Sequence, residues 1–125
     1  MSWDEYNLTE EMSAPSGIPR VLCIDDDRDF AIGLSANLRH AGYFPSLAFS
    51  AESAVGLYFE LKPQLTIVDV GLPGKDGLSF CELLCSSPED VNCPIIVLTG
   101  RSDQAVEQKC EELCVYHFTK RANYW

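Results

Sequence analysis

Apolar residues in this chain gather into short runs, separated by stretches whose apolar positions recur at helical spacing. Val21-Leu22-Cys23-Ile24, Leu65-Thr66-Ile67-Val68, Ile95-Ile96-Val97-Leu98 and residues 115–119 have the length and character of strands. Between the first two such runs, Phe30, Ala31, Leu34, Leu38 and Ala41 mark one side of a helix. The pattern predicts strand 21–24, helix 28–41, strand 44–49, helix 51–61, strand 65–69, helix 77–86, strand 94–99, helix 103–113 and strand 115–119. Gly42 is placed to close the first helix, as the residue that can turn left-handed just past its end. Ser50 is placed to N-cap the second, and Pro63 to stop it. Pro45 lacks an N–H for a ladder, so strand 44–49 is expected at an edge or at its own start.

Strictly alternating strands and helices imply an α/β domain, a parallel sheet with helices on both faces. The last three strands are continuous apolar runs, as expected when both sheet faces are covered. Residues 1–19 read as a flexible leader, since Ser13-Ala14-Pro15-Ser16-Gly17-Ile18-Pro19 is rich in Pro, Gly and Ser. Residues 20–125 form the domain.

Bulk properties remove several function classes. The 125 residues make one domain with room for a core, and 46% apolar with 22% charged residues is ordinary for a soluble protein. No apolar run approaches the roughly 20 residues of a membrane span. The start, Met1-Ser2-Trp3-Asp4-Glu5, is acidic and is no secretory signal. A cytoplasmic protein without membrane attachment is therefore expected. A net charge of −10, with 9 scattered Lys and Arg, argues against nucleic-acid binding. The 6 cysteines include two i, i+4 pairs, Cys81/Cys85 and Cys110/Cys114. A four-thiolate site is conceivable if those helices are neighbours. No C-x-x-C spacing supports it, and the expected reading is free thiols acting as small buried hydrophobes.

The chemistry sits where strands end. Strand 21–24 runs into Asp25-Asp26-Asp27, and strand 65–69 ends on Asp69, before Val70-Gly71-Leu72-Pro73-Gly74-Lys75-Asp76-Gly77. Strand 94–99 ends on Thr99 and strand 115–119 meets Lys120. Parallel α/β sheets place their sites at those C-terminal ends. A carboxylate can act as nucleophile toward a phosphoryl group, giving an aspartyl-phosphate. Such transfer is mostly positioning and charge neutralisation, to which a divalent cation contributes. Three carboxylates about 5 Å apart repel by roughly 3 kcal/mol per pair at an effective dielectric of about 20, so a cation must compensate. Mg²⁺ suits an oxygen-only set. Taken singly, each piece has a plainer reading: an acidic run that caps the next helix, a turn at Pro73-Gly74, an N-cap at Thr99, a solvated end at Lys120. Their joint occurrence at consistent strand ends favours a site.

In these motifs the chain resembles the receiver domain of two-component response regulators, over about residues 19–120. Ile24-Asp25-Asp26-Asp27 is similar to the family's acidic pair, which falls on Asp25 and Asp26. Ile67-Val68-Asp69-Val70-Gly71-Leu72-Pro73-Gly74-Lys75-Asp76-Gly77 resembles its phosphoacceptor strand and loop. Leu98-Thr99-Gly100 resembles its switch position, and Phe118-Thr119-Lys120 its lysine-bearing strand end. The resemblance implies a flavodoxin-like, doubly wound five-stranded parallel sheet in the order 2-1-3-4-5, with sequence left for only a fragment of the final helix. It implies Asp69 as phosphoacceptor, with Thr99 and Lys120 assisting and the backbone of Val70, Gly71 and Gly100 binding phosphoryl oxygens. It implies Mg²⁺ held by Asp25, Asp26, Asp69 and the Gly71 carbonyl, Asp26 directly and Asp25 largely through water. The implied partners are a sensor histidine kinase or phosphotransfer protein and a downstream protein or output domain, with a homodimer as a further option. The chain would be no enzyme beyond promoting its own phosphorylation and dephosphorylation.

Four departures from the family pattern bear on signal output. Arg121 follows the lysine where the family has proline, often after a cis bond; before Arg that bond would cost roughly 2.5–4 kcal/mol. His117 stands where the family places Tyr or Phe as a switch coupled to Thr99; a partly buried histidine without that role is the alternative. The turn before the last strand reads Glu112-Leu113-Cys114 without glycine, so Leu113 is expected in an unusual backbone conformation. Residues 121–125 are too few for a final helix. A chain cut short, a helix supplied by a partner, or residues 3–12 folding back would each account for this. The rival functions are a degenerate receiver that serves only as an interaction module, and a small aspartate-dependent phosphohydrolase. The phosphohydrolase would need a second Asp where Gly71 stands.

Overall fold

The computed structural model describes residues 17–70, 77–86, 94–99, 104–113 and 115–119, with Thr99 and Thr119 described for their backbone only. Nine elements occupy them in alternation: β1 Arg20–Ile24, α1 Arg28–His40, β2 Phe44–Ala48, α2 Ala51–Leu61, β3 Leu65–Asp69, α3 Gly77–Cys85, β4 Ile95–Thr99, α4 Gln104–Leu113 and β5 Tyr116–Thr119. Each lies within about one residue of the sequence-based boundaries, where apolar period and punctuation agree.

The five strands form one parallel sheet in the order β2-β1-β3-β4-β5. Pro45 pairs with Val21 on the edge strand β2, the position a residue without an N–H tolerates. The helix ends follow the capping chemistry. Asp27 accepts from the Phe30 amide and caps α1. At the other end Gly42, with φ of 97°, lets its own amide bond Arg39 O and the Tyr43 amide bond Leu38 O, a Schellman closure. Ser50 accepts from the Ser53 amide at the start of α2. Lys62, left-handed at φ 49°, ends that helix before Pro63. Lys62 is the only described non-glycine with positive φ, and Leu113, expected in an unusual backbone conformation, closes α4 as an ordinary helical residue.

Two apolar layers sandwich the sheet. On one face Leu22, Ile24, Val68, Ile95 and Val97 pack with Ala54 and Tyr58 of α2, Phe80, Cys81 and Leu84 of α3, and Cys110 of α4. Phe80 is wholly buried and meets the Tyr58 ring edge-on. On the other face Val21, Cys23, Leu47, Ile67 and Leu98 pack with Ala31 and Leu34 of α1. Among the described residues α1 alone covers that side, and Tyr116 and Phe118, in register with Ile96 and Leu98, remain 63% and 48% exposed. Residues 120–125, on which the expected fragment of a final helix would fall, lie outside the described residues.

Candidate carboxylate site at the strand ends

The central strands β1 and β3 are neighbours, and β2 and β4 flank them on opposite sides. The chain direction of the sheet order reverses between β1 and β3, so the crevice beyond their C-terminal ends opens at the topological switch point. Register sets what meets there. Ile24 pairs with Val68, so the following residues, Asp25 and Asp69, emerge side by side.

Each of the three consecutive aspartates has a different task, which the sequence alone left open. Asp27 is the helix cap. Asp25 donates its amide to Ala48 O at 3.0 Å, extending the β1–β2 ladder by one residue, and its Oδ1 accepts from the Asp27 amide at 2.9 Å. These bonds hold its carboxylate inward, 3% exposed; its Oδ2 is buried and receives no hydrogen bond among the described residues. Asp26 points to solvent. Asp69 is 8% exposed at the end of β3.

One carboxylate oxygen from each of Asp25, Asp26 and Asp69 lies within 4.8 Å of the other two. At that spacing like charges repel by about 3 kcal/mol per pair at an effective dielectric of about 20. Two of the three are buried, where water screens them least. An all-oxygen set of this size suits a hard divalent cation that keeps several waters. The described residues hold no other group of three with metal-ligand spacing. Cys81, Cys85 and Cys110, on the neighbouring helices α3 and α4, form no such group among the described residues, and Cys114 lies outside them. Cys81 and Cys110 are buried in the core, and Cys85 is exposed.

The Val70 amide, expected to bind a phosphoryl oxygen, donates to Leu98 O at 3.1 Å. That bond continues the β3–β4 ladder by one residue. Thr99 ends β4, in register with Thr119 on β5. His117 pairs with Val97, two residues before Thr99, and so shares its parity on the adjacent strand. Its side chain is exposed rather than partly buried. Gly71, Gly100, Lys120 and Arg121 lie outside the described residues, as does the Lys120–Arg121 peptide bond.

One residue near the site carried no role in the sequence reading. Gly77, the buried first residue of α3, lies so close to β3 that a Cβ there would overlap Asp69 O and come within 2.8 Å of Val68 Cγ1 and Val70 Cα. The only sequence signal is a glycine opening a helix, where Ser, Thr, Asp or Pro is usual.

A five-stranded parallel sheet with carboxylates crowded at its switch point defines a class of α/β domains that handle charged ligands beyond their strand ends. The sequence profile of the response regulator receiver domain matches residues 21–122, and the chain belongs to that family. Solved structures agree. The signal receiver domain of a DNA-binding response regulator (MerR) from Colwellia psychrerythraea 34H is 27% identical, with a TM-score of 0.79 over 85% of this chain and 89% of that one. A response regulator structure from Chloroflexus aurantiacus J-10-fl is 32% identical, with a TM-score of 0.77 over 82% and 85%. The chemotaxis protein CheY4 of Vibrio cholerae shares the fold at 20% identity, with a TM-score of 0.78 over 87% and 90%. This chain is thus a receiver domain of a two-component response regulator.

Proposed function

We propose that Asp69 is the phosphoacceptor, taking a phosphoryl group from a phosphohistidine on a sensor kinase or phosphotransfer protein. The observation that carries this reading is the meeting of Asp25, Asp26 and Asp69 within 4.8 Å at the switch point of the sheet. An Asp69 carboxylate oxygen attacks phosphorus, the P–N bond to imidazole breaks, and the electron pair returns to the ring nitrogen, which takes up a proton. Asp69 sits at a strand end fixed by the ladder on both sides, which limits its motion and keeps the attack in line. Bound Mg²⁺ would neutralise the three carboxylates and the incoming phosphoryl oxygens. Asp25, Asp26 and Asp69 are the residues that would hold it, with the Gly71 carbonyl as a fourth ligand.

Thr99, Gly100 and Lys120 complete the proposal: a hydroxyl, an amide and an ammonium for the phosphoryl oxygens. Thr99 and His117 form the proposed switch, through their matching positions on β4 and β5. The chain gains and loses a phosphoryl group on itself, so it serves as a signalling partner rather than an enzyme acting on other substrates. The functional unit is residues 20–125 with a leader before it, located in the cytoplasm. Output passes to a protein partner or an attached domain, with a homodimer as one form of it. No nucleic acid or membrane is engaged by this domain.

Acetyl phosphate with Mg²⁺ tests the assignment. Intact-mass spectrometry should find one added phosphoryl group, absent without Mg²⁺ and absent in Asp69→Ala. Labelling that persists in Asp69→Ala would overturn the acceptor. A wild-type chain that binds no Mg²⁺ and takes no label would instead mark a degenerate receiver. Repeated turnover of a small phosphoester would mark a phosphohydrolase.

A further inference from the structure

The start of α3 approaches the end of β3 more closely than any side chain allows. The β-carbon of any other residue at position 77 would collide with three atoms: the Asp69 carbonyl oxygen, Val70 Cα and Val68 Cγ1. Two of the three are backbone atoms, of Asp69 itself and of the next residue, so no rotamer change relieves them. Both partners are also held elsewhere. The β3 backbone is bonded into β1 and β4, and the Val70 amide to Leu98 O. The helix is pinned by Phe80, Cys81 and Leu84, at i+3, i+4 and i+7 from Gly77, all buried in one core. An added methyl must therefore move one rigid element against the other. Gly56, exposed within α2, has open space around it and makes no such demand.

We infer that Gly77 is a positioning residue for phosphoryl transfer: the absence of its side chain lets α3 press on the Asp69–Val70 backbone and fix the nucleophile against the two other carboxylates. The inference rests on Asp69 being the phosphoacceptor. In-line displacement is sensitive to errors well under 1 Å, because the attack geometry is set before the step begins. A shift of a few tenths of an ångström at Asp69 would leave the fold intact and slow transfer. The Asp25 and Asp26 carboxylates, on the separate strand end of β1, would stay in place.

Gly77→Ala tests this beside two controls. Gly56→Ala introduces the same methyl where it touches nothing. Leu84→Ala destabilises the same helix through the core, away from Asp69. Phosphorylation by acetyl phosphate is measured at saturating Mg²⁺ and scaled by the folded fraction from circular dichroism. The expected result is at least a tenfold fall in rate for Gly77→Ala and a wild-type rate for both controls. Amide chemical shifts should move at Asp69 and Val70 in Gly77→Ala, and not in Gly56→Ala. If Gly77→Ala is largely unfolded, the comparison is made at low temperature with trimethylamine N-oxide, which favours the folded state. A wild-type rate in Gly77→Ala overturns the inference. So does an equal fall in Leu84→Ala, or a Gly77→Ala chain that stays unfolded where Leu84→Ala folds; either would make Gly77 a packing residue only. A wild-type chain that takes no label defeats the phosphoacceptor reading instead, and the amide shifts then still decide whether Gly77 positions Asp69.

Discussion

The C-terminal end of the sheet and the flank at β5 break the usual rules of burial in opposite directions. At the strand ends, Asp25 and Asp69 are buried beside each other with Asp26 close by, so charge is crowded where water screens it least. At β5, Tyr116 and Phe118 stand open to water on a strand otherwise built like its neighbours. The face beneath α2, α3 and α4 shows neither departure: its apolar residues are buried, and the polar residues enclosed with them, Ser46 and Thr66, carry no charge. Crowded carboxylates store repulsion that a cation can release. Exposed aromatic rings store apolar area that another surface can cover. The ordinary face supplies the stability that both departures draw down.

Mutations can break that contrast. The largest effect belongs to the closed face: Phe80→Ala removes a wholly buried ring and should cost about 3–5 kcal/mol, read from urea unfolding. A value under about 1 kcal/mol would mean that this face is not the principal core. Next comes the charged end. Mg²⁺ at one hundred times its dissociation constant should stabilise the chain by about 2.7 kcal/mol, seen as a rise in Tm. Asp26→Asn should weaken that response while leaving the fold unchanged without the metal. An unaltered Mg²⁺ response would remove Asp26 from the site.

A smaller effect is expected at high pH. Burial, with a further contribution from Glu107, pushes the Cys110 thiol above its ordinary value. Its contribution is therefore complete below the unfolded thiol's pKa and is lost as pH rises from there through the folded one. Stability should decline above pH ~9, where unfolded thiols ionise, and Cys110→Ala should flatten that decline. The smallest effect belongs to the open flank. Phe118→Ala should change stability by no more than about 0.5 kcal/mol, as at other exposed positions. A loss near that of Phe80→Ala would show that the ring is covered in solution.

Much of this was legible in the residues. Element type and order followed from apolar period, and the ends from Gly42, Ser50 and Pro63, because local backbone chemistry decides helix termini. The acidic run and Asp69 could be placed at strand ends without coordinates. Their convergence rested on resemblance, since strands β1 and β3 are more than forty residues apart in sequence and only the sheet order joins them. The different tasks of Asp25, Asp26 and Asp27 could not be read from three identical letters. Nor could the Val70 amide's bond to Leu98, which depends on the register between two strands.

Composition, period and capping thus determined that this chain builds alternating strands and helices with carboxylates at two strand ends, because those properties act over a few residues. Tertiary structure decided which aspartate caps, which is buried and which faces water. It also decided that Gly77 must lack a side chain and that β5 is left half in water. These outcomes depend on distances between elements far apart in sequence, set by the packing of helix on sheet.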